Sequence, residues 1–157
     1  MGPSGPLSPR KGALPVDWGL PALTPINEAW FTTGALAIQR CASCNTLQHP
    51  PEEICHVCGS MSFSTAPLPG VGTVHSFTVV HHSVHTALDA AVPYTVVLVS
   101  LDAAPELRVV GNLIEGPVDE VSIGMPVEAV WLERIADDGT KVLLPQWRRR
   151  PAGDSDE

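Results

Sequence analysis

All four cysteines of this 157-residue chain fall between Cys41 and Cys58, and no other feature restricts its folding as tightly. They stand as Cys41-Ala42-Ser43-Cys44 and, after ten intervening residues, Cys55-His56-Val57-Cys58-Gly59. A CxxC pair makes a tight turn whose backbone amides point at the sulfurs, and two such turns brought together present four thiolates tetrahedrally. This is the spacing of a zinc ribbon. Four sulfurs close the coordination shell, whereas a catalytic zinc keeps one position open for water or substrate, so the metal is expected to be structural. A module of roughly 30 residues cannot bury enough apolar area alone, and metal binding on the order of 10 kcal/mol supplies the missing folding energy. The expected cofactor is one Zn2+ per chain; iron in a rubredoxin-like site uses similar spacing, and the spacing does not separate the two. Arg40, beside the first turn, is placed to offset the charge of a four-thiolate centre. His49 and His56 are close enough to be considered as ligands, but with four thiolates present they read as surface or loop histidines. Cysteines gathered in one place also argue against a secreted disulfide scaffold and for a cytoplasmic protein.

Outside this cluster the chain reads as mainly β. Its 16 prolines and 13 glycines favour turns over long helices. Residues 1–23 are rich in Pro and Gly without apolar periodicity and read as a disordered lead, with no apolar region of the signal-peptide type. Thr24-Pro25 is a helix-start signal and Gly34 a stop, giving a short helix over 24–35 whose Trp30 and Phe31 seek a surface to cover. The ribbon occupies 36–66. Five β-rich runs follow within 67–147: Gly72 to His81, Tyr94 to Leu101, Leu107 to Ile114, Val127 to Ile135 and Lys141 to Trp147. Asp137-Asp138-Gly139 marks a hairpin. Five short strands suit a small closed barrel of the OB type, with a small sandwich as the alternative. Residues 148–157 read as a disordered tail.

Charge narrows the function classes. The net charge is −8, and between Thr24 and Trp147 only Arg40, Arg108, Arg134 and Lys141 stand against thirteen acids. Nucleic-acid affinity comes largely from Lys and Arg neutralising phosphates, so an acidic body is a poor binder of DNA or RNA. No stretch reaches the ~20 apolar residues of a membrane span. A catalytic constellation is also missing: the cysteines are committed to metal, and Gly70-Val71-Gly72 opens a strand instead of cradling a phosphate ahead of a helix. His81, His82 and His85 are conspicuous, but successive strand residues point to opposite faces, so these histidines read as loop or interface residues.

Taken in order, Trp30-Phe31, Gly34-x-Leu36, Gln39-Arg40-Cys41, Cys44, Pro50-Pro51, Cys55-x-x-Cys58-Gly59-Ser60, Gly70-x-Gly72-x-Val74, Ser76-Phe77-Thr78-Val79-Val80-His81, Pro93-Tyr94, Gly111-Asn112 and Ile123-Gly124-Met125-Pro126-Val127 resemble one family across residues 25–147. It is the acyl-CoA-associated family that joins an N-terminal helix, a rubredoxin-like zinc ribbon and an OB-fold barrel. The resemblance implies a non-catalytic accessory subunit of a thiolase-superfamily enzyme (a thiolase, an acyltransferase or a steroid side-chain aldolase), sometimes beside a MaoC-like hydratase. It also implies a bridging role that helps form the partner's acyl-CoA channel. Candidate ligand or partner contacts are Trp30, Phe31, Arg40, His81, His82, His85 and Arg108. The chain departs from the family pattern at Asn45, where Gly usually follows the first turn, at Glu52 in place of a common Arg, and at His56 in place of Pro. Asn45 can still supply a left-handed backbone. Losing a cation at Glu52 weakens any phosphate contact from that loop, so phosphate contacts are expected from the partner. An OB-fold nucleic-acid module is the competing reading; it would need stacking aromatics, and the barrel offers Phe77, Tyr94, Trp131 and Trp147 on an acidic body.

Overall fold

The computed structural model of the protein describes residues 14–15 and 17–151. Eight strands and one short helix follow in the order α1 (Glu28–Thr32), β1 (Leu36–Cys41), β2 (Leu47–Gln48), β3 (Phe63–Leu68), β4 (Val71–Val80), β5 (Tyr94–Leu101), β6 (Ala104–Leu113), β7 (Pro126–Ile135) and β8 (Lys141–Arg149). The first three strands form a small sheet ordered β2-β1-β3, and the other five close a barrel ordered β4-β5-β6-β8-β7. The fold is therefore mainly β with a closed five-stranded barrel, and the sandwich is excluded. No helix among the described residues is long and apolar enough to cross a membrane.

Period-2 patterning builds the barrel. Along β5 the side chains alternate, with Val97, Val99 and Leu101 fully buried and their neighbours half-buried. Val74 and Val109 flank them on the adjacent strands, Val127 of β7 joins the same core, and Trp147 of β8 is the largest side chain in it, with no exposed surface. The indole fits because Gly111 lies opposite: a Cβ there would stand 2.8 Å from Trp147 Cδ1. Gly72 answers a different constraint. It pairs with Leu101 on one side and Val127 on the other, and a Cβ would fall 2.2 Å from the carbonyl oxygen of Ser100.

The helix is shorter than the sequence predicts, running over five residues instead of 24–35. Thr24 does not cap it; its backbone N–H donates to Asn27 Oδ1 at 2.8 Å, turning 24–27 into a separate turn. At the other end the Thr32 and Thr33 hydroxyls donate back to the carbonyls of Glu28 and Ala29, and Gly34 ends the element at φ +67°. Such back-bonding competes with helix propagation.

The basic run read as part of a disordered tail is largely strand. β8 continues through Arg149, and the three arginines reach acids far away in sequence: Arg148 Nε to Glu128 at 2.7 Å, Arg149 Nη1 to Glu120 at 3.5 Å and Arg150 Nη2 to Asp102 at 3.4 Å. The described part of the lead is likewise placed against the fold. Trp18 meets the His85 ring edge-on at a centroid distance of 5.0 Å, and Arg134 Nη2 donates to the Leu14 carbonyl at 3.4 Å. The rest of the lead and residues 152–157 lie outside the described residues.

The tightest backbone approach gives a direct test. Gly72→Ala drives its new methyl into main-chain oxygen that cannot swing aside, and is expected to destabilise the barrel by at least ~2 kcal/mol in denaturant unfolding. Gly139→Ala at the β7–β8 turn meets no neighbouring atom and adds only the strain of its φ of +84°, so it should cost less.

Candidate functional site

The two CxxC turns are built alike. In the first, the Cys41 N–H donates to the Thr46 carbonyl at 2.9 Å and the Asn45 N–H to the Cys41 carbonyl at 3.0 Å. In the second, Cys55 donates to Ser60 at 2.8 Å and Gly59 to Cys55 at 2.9 Å. The residue after the second cysteine takes a left-handed backbone in both, Asn45 at φ +60° and Gly59 at φ +72°. Asn45 thus does what glycine does in the other turn.

The turns bring all four sulfurs within 4.8 Å of one another. Cys41 Sγ lies 3.5 Å from Cys58 Sγ, and Cys44 Sγ 3.7 Å from Cys55 Sγ. A disulfide needs about 2.05 Å, so these are not bonded pairs. A tetrahedron of thiolates held about 2.3 Å from a central ion has edges of about 3.8 Å, and the observed spacings fit it. Titration of the thiols agrees with crowding around one centre. The Cys44 backbone N–H holds Cys41 down at about 6, and the Thr46 hydroxyl lowers Cys44. Cys58, despite the Ser60 N–H that favours its thiolate, is pushed up to about 12 by the neighbouring Cys41 and Cys44. Four thiolates this close repel one another, and a divalent cation at their centre removes that repulsion. Cys41, Cys44, Cys55 and Cys58 are thus a metal site in geometry and in chemistry.

Two buried glutamines tie the ribbon's long loop to its sheet. Gln39 Nε2 donates to the Glu52 carbonyl at 2.8 Å while its Oε1 accepts from the Glu52 N–H at 2.9 Å. Gln48 Nε2 donates to Gln39 Oε1 at 2.6 Å, and Gln48 Oε1 lies 2.9 Å from His56 Nδ1. His56 is therefore engaged by Gln48 and not by the metal site. Glu52 contributes its backbone to this network. The sequence flagged Gln39 only as part of a motif and Gln48 not at all; a glutamine at an inward position of a strand is the only available signal.

This clamp fixes Pro50 and Pro51, which with His49 form one wall of a groove of about 660 Å³. Trp30 and Phe31 of α1, Val96 of β5, Val110 of β6 and Pro145 of β8 also line it, together with Leu88 from the segment after β4 and the polar Asn112 and Gln146. Trp30 is buried, its ring 4.3 Å from that of His49, and Val110 is 62% exposed. Burial holds the His49 imidazole neutral, lowering it to about 4.

Of the seven contact residues suggested by the sequence, Trp30 and Phe31 line this groove. The other five lie outside its walls. Arg40 is exposed on β1. Arg108 turns its guanidinium onto the carbonyls of Pro105 and Leu107. His81 and His82 are exposed just past the end of β4, and His85 is held by Trp18 and by the Ala87 N–H at 3.1 Å. The histidines therefore do not converge on a shared centre.

A closed four-thiolate ribbon joined to a five-stranded OB barrel, with a helix packed at the junction, defines a two-module zinc-ribbon and OB class of protein. Residues 32–64 match the family profile described as the ChsH2 rubredoxin-like zinc ribbon domain, and residues 65–132 the one described as the ChsH2 C-terminal OB-fold domain. The chain belongs to this ChsH2-type zinc-ribbon and OB-fold family. It is 34% identical over 101 residues to a DUF35 domain-containing scaffold protein of Methanocaldococcus jannaschii, covering 64% of this chain and 69% of that one. It is also 43% identical over 131 residues to a Probable enoyl-CoA hydratase alpha subunit of Thermomonospora curvata, covering 82% of this chain but only 39% of that protein. A third relative, the 3-oxo-4,17-pregnadiene-20-carboxyl-CoA hydratase alpha subunit of Mycobacterium tuberculosis, is 36% identical over 62% of this chain and 30% of its own length. The chain thus spans well under half of these two hydratase subunits. Among solved structures, a chain of the Ltp2-ChsH2(DUF35) aldolase superposes with a TM-score of 0.69 at 41% identity, covering 83% of this chain and 98% of that one.

Two outcomes are expected from this site. Cys55→Ser removes one of four ligands and should release about one metal ion per chain, read by elemental analysis, with loss of ribbon amide protection while the barrel's β5 amides stay protected. His49 stays neutral in the folded chain to about pH 4, whereas the unfolded chain protonates near 6.5. The unfolded state then binds more protons between those values, so stability should fall by about 2 kcal/mol as pH drops from 7 to 5. His49→Phe keeps the contact with Trp30 and should flatten that dependence, measured by denaturant unfolding at constant metal content.

Proposed function

We propose that this chain is a non-catalytic accessory subunit that docks on a thiolase-superfamily enzyme and lends one wall to its acyl-CoA site. The groove carries this reading. Helix, ribbon loop and barrel converge on one apolar concavity, which suits the pantetheine arm and acyl portion of a CoA ester. Among the described residues its walls hold no Lys or Arg; Arg148, Arg149 and Arg150 are ion-paired, Arg108 is turned onto main-chain carbonyls, and Arg40 stands exposed on β1 outside the groove. Contacts to the nucleotide phosphates then fall to the partner. Relatives named as a scaffold protein and a chain of an aldolase complex support an assembly role, and those named as hydratase alpha subunits support a hydratase, of MaoC-like type, as a further member. The ion in the ribbon is read as structural Zn2+.

The same charge distribution weighs against the nucleic-acid reading, because the one basic run is spent on internal acids.

Co-expression with thiolase-like enzymes encoded beside this chain is expected to yield a complex that elutes together in size-exclusion chromatography. The isolated chain should show no micromolar binding of CoA by calorimetry. Val110→Arg, on the exposed groove wall, should raise the complex's KM for acyl-CoA about tenfold or more with metal content unchanged. A complex indifferent to that change would remove the groove from the acyl-CoA site, and failure to associate with any such enzyme would sink the accessory-subunit reading.

A further inference from the structure

Strand β4 is partnered unequally along its two edges. One edge pairs with β5 from Gly72 to Val80, interrupted by a bulge between Val74 and Ser76. The other pairs with β7 only at Val71, Gly72 and Thr73. Val74 is then closed off, its N–H donating to the Met125 carbonyl at 2.9 Å and its carbonyl accepting from Gly124 at 2.7 Å. Beyond that point, among the described residues, no backbone hydrogen bond reaches Ser76–Val80 from this side. In an antiparallel ladder every second residue turns its N–H and C=O away from its partner, so the stretch carries a row of unpaired backbone groups.

The side chains tell the same story. Phe77 pairs with Val97, and directly opposite residues share a face of the sheet. Val97 has no exposed surface, yet Phe77 keeps 38% of its own. An inward-facing ring left this open marks a place where the barrel wall lacks a neighbouring strand. Natural edges are guarded by lysines, prolines or bulges within the open stretch. Here β4 reads VGTVHSFTVV, without a charged residue other than histidine and without proline, and its bulge precedes the open stretch.

We propose that the Ser76–Val80 edge accepts an extended segment of the partner protein as an added β-strand, with an apolar side chain of that segment covering Phe77. Alternating main-chain donors and acceptors are matched by a polypeptide strand, as in other cases of strand addition. Charge chooses between candidates. The chain carries −8 overall, and the segment leading to Gly124, whose N–H meets the Val74 carbonyl, contributes Glu115 and Asp119 beside the Arg149-paired Glu120. A second copy would meet like charge, whereas a strand flanked by Lys or Arg would meet opposite charge. The proposal rests on the accessory-subunit reading and adds the means of attachment.

Hydrogen exchange on the full chain, free and in complex with the co-expressed thiolase-like enzyme, tests it. The outward amides within 76–80 should exchange rapidly in the free chain and at least tenfold more slowly in the complex. Ser76→Lys with Thr78→Lys, both at exposed positions, should weaken the complex tenfold or more while metal content and melting temperature hold. A complex that forms without new protection at 76–80 overturns the edge proposal and leaves the accessory-subunit reading intact. Protection that grows with the chain's own concentration, alongside doubled mass, assigns the edge to a second copy and overturns the partner strand. If no complex forms at all, both fall together.

Discussion

Four thiolates held in one small volume are the interaction on which the rest of the ribbon depends. The three-stranded sheet has little core of its own: Leu36, Ala37, Ile38 and Ala66 are buried on it, and the other buried apolar positions of the ribbon are Cys41 and Cys55 themselves. A hydrophobic contribution of about 25 cal/mol per Å² from so few side chains cannot offset the ordering of the long loop between β2 and β3. Binding a divalent ion can, because its ligands are spread over both turns and the unfolded chain has no site for it. A metal ion held by these four cysteines would make binding and folding one equilibrium in this module, whereas the barrel has a continuous core of valine and tryptophan.

From the metal the dependence runs outward through hydrogen bonds. The second turn fixes His56, His56 and Ile54 engage Gln48, Gln48 bonds Gln39, and Gln39 holds both backbone groups of Glu52. Pro50 and Pro51 are carried by that clamp into the wall of the groove. A polar network inside a small sheet is stabilising only when every member is satisfied, and here each glutamine uses its donor and its acceptor. The shape of a largely apolar groove is in this way set by a polar chain that begins at the thiolates.

The metal site was fully legible in the sequence because its chemistry is local: CxxC spacing dictates turn geometry, and even the departure at Asn45 was readable, since asparagine tolerates the left-handed backbone the turn needs. The barrel strands were legible as β-rich runs set between turn residues, whereas the alternation of burial along β5 emerges only in the folded barrel. What escaped depends on partners distant in sequence. Arg148 to Arg150 look like a solvated tail until Glu128, Glu120 and Asp102 are seen beside them. The helix start at Thr24 is displaced: Thr24 and Asn27 close a turn of their own, and the regular helix begins only at Glu28. Of the groove only Trp30 and Phe31 could be read, for Pro51, Val110 and Pro145 share no local pattern with them and meet only through the junction of helix, ribbon and barrel.

Charge then separates what this chain supplies from what it must be given. A protein carrying −8 could still bind a phosphorylated ligand if its few arginines were gathered at the groove, because local field outweighs net charge at contact distance. Among the described residues they are not gathered there: three pair with acids along β8 and its end, Arg108 and Arg134 are turned onto main-chain carbonyls, and Arg40 is exposed on β1. The arginines that pair β8 and its end with acids of the barrel are thereby engaged away from the groove. On the proposed reading, shape comes from this subunit and charge from its partner, and neither half alone makes a complete acyl-CoA site.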